Sequence, residues 1–334
     1  MKKAVLLAAA CLLLCGCRAE EPASVSFFAM DTFMRITAYS GNNAAAENAR
    51  DAVLSLEKDI SVTDSGSELS RANQNGGGEL SDSTLALLQR AADISAETDG
   101  ALDITLYPIS REWGFTTGEY NIPDDGRISG LLENTGTSRL SFTDSGIVIP
   151  EGMMTDLGAV GKGCAAELAA NELKNAGETS ALADLGGNIC AIGTRPDGTP
   201  WKIGIRDPDS DGYIGILEVS DKFVSTSGNY ERYFIGEDGV RYCHIIDPKT
   251  GRPADSGLSS VTVSGTDGVL CDGLSTALFV MGSEKAAEYL REYRDVDAVL
   301  ITNDGEIYIT GGIKDSFSLA KGYSDRNITV IPDT

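Results

Sequence analysis

Segments of helical period and segments of two-residue period follow one another along this chain without regular alternation, and that irregularity constrains the fold more than any single motif. A doubly wound parallel sheet needs a helix after nearly every strand. Here strands are predicted at 139–149, 181–192, 201–206, 213–219, 231–235, 241–246 and 258–264, with only one helix, 162–176, among them. Asp238-Gly239 and Asn303-Asp304-Gly305 read as tight turns between antiparallel strands. Further strands are expected at 25–38, 297–302 and 306–310. Helices are expected at 44–60, with Ala49, Val53, Leu56 and Ile60 on one face, and at 83–97, stopping at Gly100. Short ones follow at 272–280 and 283–294. The fold class this predicts is α+β: mixed, largely antiparallel sheets with packed helices, in one compact unit over 25–334.

The first residues read as an export signal. Lys2 and Lys3 precede an apolar run, 4–14, too short to span a bilayer as a helix. It ends in Leu14-Cys15-Gly16-Cys17, where a small residue before cysteine suits a lipoprotein signal peptidase. Residues 1–16 are therefore expected to be removed, Cys17 to carry lipid, and 17–24 to form a short tether. Cys11 lies too early in the run, and Cys15 follows the bulky Leu14; an ordinary cleaved signal is the plainer alternative. The predicted location is outside the cytoplasm, lipid-anchored at a membrane surface.

Acidic residues outnumber basic ones 50 to 27, a formal net charge of −23. Such a field argues against nucleic acid and anionic lipid as electrostatic partners. A phosphate-ester substrate would need local neutralisation by a metal ion, a lysine or backbone N–H groups. Cys164, Cys190, Cys243 and Cys271 are scattered without a C-x-x-C pair, which speaks against zinc and for four buried thiols.

Several stretches could carry chemistry. Asp156-Leu157-Gly158-Ala159-Val160-Gly161-Lys162-Gly163 precedes an alanine-rich helix, whose start offers unpaired N–H groups beside the Lys162 cation. It lacks the Walker A spacing, and a plain structural turn is the competing reading. Asp272 and Thr276, four apart with Ser275 between, would share a helix face as a sparse hard-oxygen site of the kind Mg²⁺ uses; Asp272 could equally cap its helix. His244 is the sole histidine, hence the one candidate for an imidazole base, although a lone histidine is usually structural. Ser225-Thr226-Ser227-Gly228-Asn229-Tyr230 reads as a polar turn between strands, and Ala183-Asp184-Leu185-Gly186-Gly187-Asn188 as a strand leaving into a glycine turn. Trp113 could stack on a flat ring or sit in a core.

These stretches occur together and in order, and with Ala29-Met30-Asp31-Thr32, Ser67-Glu68-Leu69-Ser70-Arg71, Gly100-Ala101-Leu102-Asp103-Ile104-Thr105 and Trp113-Gly114-Phe115 the chain resembles the ApbE family of FAD:protein FMN transferases over nearly its whole mature length. The resemblance implies an enzyme that binds FAD with Mg²⁺, moves FMN onto a serine or threonine of an acceptor flavoprotein and releases AMP. By position, Met30, Ala101, Leu102, Asp103, Asp156, Lys162 and Ile246 would line FAD. Asp272, Ser275, Thr276 and the Ala159 carbonyl would hold the metal, and His244 would be the catalytic imidazole, as base or transient nucleophile. The family often has an aromatic residue packing on the flavin where this chain has Thr63. The chain has no Ser/Thr-Gly-Ala-Thr-like acceptor segment, so the modified residue is expected on a partner. The competing readings are a Mg²⁺-dependent FAD pyrophosphatase, a non-enzymatic flavin-binding lipoprotein and a purely structural one.

Overall fold

The computed structural model describes residues 21–293 and 295–332. Cys17, the expected signal and half of the tether, 17–20, lie outside the described residues, and β-structure begins at Ala23 within the stretch expected as tether.

Nine strands form the main sheet: β1 (Ala23–Ala29), β2 (Thr32–Ala38), β3 (Ser180–Asp184), β4 (Ile189–Gly193), β5 (Lys222–Gly228), β6 (Leu258–Gly265), β7 (Val296–Thr302), β8 (Ile307–Thr310) and β9 (Ile328–Ile331). They lie side by side in chain order. Every neighbouring pair is antiparallel except β8 with β9. The α+β expectation holds, because most strands return beside their predecessor and need no crossover helix.

The helices are α1 (Asn43–Ile60), α2 (Glu68–Asn75), α3 (Asp82–Glu97), α4 (Tyr107–Glu112), α5 (Asp125–Leu132), α6 (Gly161–Asn175) and α7 (Gly268–Glu292). No helix among the described residues is long and apolar enough to cross a membrane. Alternation decides which sheet face each side chain serves. On β7, Val296, Ala298 and Leu300 join the core beneath α1, α6 and α7, whereas Val299 and Ile301 join a second core. That second core lies against a three-stranded sheet of Trp201–Arg206, Tyr213–Val219 and Phe317–Leu319.

Four expectations change. The single strand expected at 25–38 is the hairpin β1–β2, turning at Met30 (φ 47°) and Asp31 (φ 60°). No glycine announces this turn, and left-handed backbone at a methionine is uncommon. Here the Met30 N–H donates to Glu57 Oε1 on α1 at 2.6 Å, which helps hold it. The strand expected at 181–192 is likewise a hairpin, β3–β4, and the one at 139–149 is the short pair Ser141–Thr143 and Gly146–Val148. The stretch Ser225–Gly228 is no turn but the end of central strand β5. Its hydroxyls are paired there: Thr226 with Thr262 at 2.8 Å, Ser227 with Ser275 at 2.8 Å, and Ser225 accepts from Asn188 Nδ2 at 3.1 Å.

α6 and α7 cross closely because glycines meet at the contact. A Cβ on Gly163 would stand 2.2 Å from the Gly268 carbonyl oxygen and 2.7 Å from Asp272 Cβ. Gly163→Ala is therefore expected to force the helices apart and cost about 1–3 kcal/mol, read as a lower urea midpoint with an unchanged m-value. A midpoint within error of wild type would show that the crossing is loose.

Candidate functional site

α6 starts without a cap of its own: Val160 makes no side-chain cap hydrogen bond. The missing acceptor comes from α7. That helix begins at Gly268, four residues before the expected start, and is capped by Asp267, whose side chain accepts from Leu270 N–H at 2.7 Å. Asp272 thus lies in the second turn and does not cap its own helix. Its Oδ2 instead accepts from the Gly163 N–H of α6 at 2.8 Å. Burial pushes its carboxyl up, opposed first by the Lys162 cation and then by hydrogen bonds from Asn188 and the α6 backbone.

This crossing forms one wall of a cavity of about 940 Å³, at the upper end of small-ligand sites. Met30, Ala101, Leu102, Asp103, Asp156 and Ile246 line it, as do Ala159, Lys162, His244, Asp272 and Thr276. They are contributed by the β1–β2 turn, the loop after α3, the loop into α6, α6, α7 and the segment after Arg241–Cys243. Ser275 does not line the cavity; it is fully buried, with Oγ donating to the Asp272 carbonyl at 2.8 Å and meeting Ser227. Thr63 does line it. Trp113 belongs to a core instead: it is fully buried with Ile109 and Phe115, and its Nε1–H donates to the Gly251 carbonyl at 2.9 Å.

Hydrogen bonds within the motifs hold this lining in place. Asp103 Oδ1 accepts from Thr105 N–H, Thr105 Oγ1 and Thr137 Oγ1 at 2.6–2.8 Å, tying the 101–105 loop to residue 137. Asn73 clasps Thr155, donating to its carbonyl at 2.8 Å and accepting from its N–H at 2.7 Å, directly beside Asp156. Ser67 caps α2. Burial pushes the Asp156 carboxyl up, while the Gly158 N–H and the Arg232 charge pull it down. Asp156 opens onto the cavity and is half-buried.

His244 lies just past Arg241–Cys243, so the expected strand 241–246 is interrupted at this residue. Burial, Arg232 and Lys162 together push its pKa down to about 3. The ring is neutral at pH 7, and Nδ1 lies 3.2 Å from the Arg232 carbonyl oxygen. A carbonyl only accepts, so Nδ1 carries the proton and Nε2 keeps its lone pair. A neutral imidazole with a free lone pair is the form a general base needs.

Sequence reasoning missed Glu231 and Arg232. The Arg232 guanidinium donates to the Phe115 carbonyl at 2.5 Å and stands 3.8 Å from Asp31, joining the β1–β2 turn, the 113–116 loop and the histidine segment. Glu231 lines the cavity; burial pushes its carboxyl up, Lys162 opposes this, and Asp272 adds to it. The signal was an adjacent acid–base pair directly after Ser225–Tyr230, but without contacts it looks like any solvated surface pair.

The ApbE family model matches residues 30–300. This chain belongs to the ApbE family. It is 36% identical over 250 residues to a Vibrio cholerae protein named FAD:protein FMN transferase, covering 72% of this chain and 74% of that one. A Treponema pallidum protein of the same name is 33% identical over 329 residues, covering 90% of each. Among solved structures, an ApbE protein from Thermotoga maritima superposes with a TM-score of 0.83 at 31% identity, over 89% of this chain and 99% of that one. The Vibrio cholerae flavin transferase ApbE gives 0.80 at 30%, with the same coverage. The fold expected from the sequence is therefore the family fold. The cavity of this family member gathers ten of the eleven FAD-lining and metal residues expected by resemblance, with Ser275 one layer behind.

Proposed function

We propose that this chain transfers the FMN half of FAD to a serine or threonine hydroxyl of an acceptor flavoprotein, with Mg²⁺, releasing AMP. The observation that carries this is the meeting of Asp272, Lys162 and a neutral His244 on one cavity. A diphosphate needs cations inside this acidic chain, and a hydroxyl needs a base; the cavity offers both.

The residues present fit a divalent cation. Among the described residues no group of three or more His, Cys, Asp and Glu side chains could hold a metal, so the offer is one carboxylate with neutral oxygens. That is the set Mg²⁺ accepts when phosphate and water complete its shell. Asn188, hydrogen-bonded to Asp272, keeps its buried Oδ1 without a partner, a further acceptor at this spot. Asp272, Thr276 and the Ala159 carbonyl would hold the ion, with Ser275 behind them. Bound there, it would offset charge on the diphosphate.

The chain's own residues do the rest. Lys162 pairs with phosphate oxygens at the start of α6. His244 Nε2 takes the acceptor hydroxyl proton as the oxygen bonds to the FMN phosphorus; the bridging P–O bond breaks and AMP leaves with the bridging oxygen. Ile246 and the 101–103 loop hold the remainder of the dinucleotide. Export, a lipid anchor at Cys17 and an acceptor bearing a Ser/Thr-Gly-Ala-Thr-like segment complete the proposal, on the sequence grounds above.

The test is intact-mass measurement of an acceptor domain co-expressed with the full chain. Transfer predicts an acceptor heavier by covalently bound FMN. Free FMN and AMP with an unmodified acceptor would establish the pyrophosphatase instead; Thr63 on the cavity wall offers the flavin no aromatic face of its own.

A further inference from the structure

Part of the cavity wall is not used by any residue assigned to FAD or metal. Lys202, Ile203, Gly204, Ile205 and Arg206 all line it, five consecutive residues of one strand. A strand turns alternate side chains to opposite faces, so a face contributes every second residue. Ile203 and Ile205 are buried in the second core, whereas Lys202, Gly204 and Arg206 are exposed. Five in a row can line one cavity only if the strand presents its backbone edge to it. Strand order agrees: Trp201–Arg206 is the outer strand of its sheet and pairs only with Tyr213–Val219 among the described residues.

The opposite wall is of the other kind. Leu182, Ile189, Val224 and Thr226 come from β3, β4 and β5; Leu182 with Asp184, and Val224 with Thr226, are alternate residues, one face of the main sheet. The trough is thus an apolar floor along an unpaired strand edge. Proteins normally blunt or cover such edges, because unpaired N–H and C=O groups recruit another strand. This one is recessed and continuous with the space that holds His244, Lys162 and Asp272.

We infer that the edge of Trp201–Arg206 is the docking line for the acceptor, whose extended segment around the modified hydroxyl adds to it as a strand. This rests on the transferase reading, which requires a polypeptide to enter this cavity. Main-chain hydrogen bonds would supply affinity with little demand on sequence, while the Leu182, Ile189 and Val224 floor takes alternate small or apolar side chains. Register along the edge would then deliver the hydroxyl to the phosphorus.

Hydrogen–deuterium exchange on the full mature chain with Mg²⁺ and FAD tests this, using an acceptor domain whose target threonine is replaced by alanine. Alternate amides within 202–206 are expected to exchange at least tenfold more slowly with the acceptor, and at an unchanged rate with FAD alone. A synthetic acceptor peptide with N-methylated amides around the target is expected to bind at least tenfold more weakly than the unmodified peptide. Protection by FAD alone would assign the trough to the dinucleotide and overturn the inference. Unchanged exchange, or equal affinity of the two peptides, overturns it while normal flavin transfer to the native acceptor leaves the parent reading standing. Absence of that transfer overturns both.

Discussion

Asp272→Asn is expected to lower kcat for Mg²⁺-dependent AMP release by about 10²–10³, while making the ligand-free protein more heat-stable. The loss follows from the composition of the site: Asp272 is the one carboxylate in the proposed metal set, and removing a main electrostatic contributor to phosphoryl transfer costs about 10²–10³ or more in rate. The gain follows from burial. The folded-state pKa of Asp272 is raised, so its stabilising contribution is full below the unfolded value near 3.8 and is lost as pH rises through the folded value. At pH 7.5 the ionised carboxylate is therefore a strain on the empty protein. Asparagine removes the charge yet still offers an oxygen to the Gly163 N–H. A gain on the order of 1 kcal/mol would raise Tm by roughly 2–4 °C. Scanning calorimetry at two pH values checks it: the advantage should shrink at pH 5, and added Mg²⁺ should stabilise only the wild type. A variant less stable than wild type at pH 7.5 without metal would show that the carboxylate is retained for the fold rather than for the ion.

His244→Ala is expected to slow flavin transfer by about 10²–10⁴ and to leave FAD affinity within a few-fold of wild type, as fits a general base that makes no main binding contact. The pH profile is the sharper readout. With the folded pKa pushed to about 3, the imidazole of the free enzyme stays neutral far below its ordinary value of 6.5. Wild-type kcat/KM should therefore show no acid limb near pH 6.5. A limb there would mean that His244 titrates as a free histidine does, unaffected by the protein and cations around it. The same displacement has a stability counterpart: the contribution is present above pH 6.5 and is lost as pH falls toward 3, because the unfolded chain takes up a proton that the folded site refuses.

How far the sequence could be read depended on whether the signal was local. Helix α1 was legible to within a residue, because Ala49, Val53, Leu56 and Ile60 repeat at helical spacing on a buried face. The hairpin turn at Met30 and Asp31 was not, since its backbone is held by Glu57 from another element and not by turn-forming residues. Strand β5 was misread for the same reason. Ser225, Thr226, Ser227 and Gly228 favour turns when considered singly, but partners on β6, α7 and the β3–β4 turn satisfy their hydroxyls. Trp113 was ambiguous until its indole was seen to face Gly251, 138 residues away.

What the sequence determined by itself is the irregular succession of helices and hairpins, hence an antiparallel α+β fold, and the short list of groups able to do chemistry: one histidine, a lysine at a glycine-rich helix start, and an Asp-x-x-Ser-Thr run on another helix. What only the tertiary structure decided is which of these meet and in what protonation state. Asp272 serves α6 rather than its own helix, across 109 residues of chain, because Gly163 and Gly268 let two backbones touch. His244 is neutral because the surrounding protein, and then the Arg232 and Lys162 cations, disfavour its charge. Periodicity and turn chemistry are written in neighbouring residues, whereas desolvation and charge proximity arise only when segments far apart in the chain are packed together.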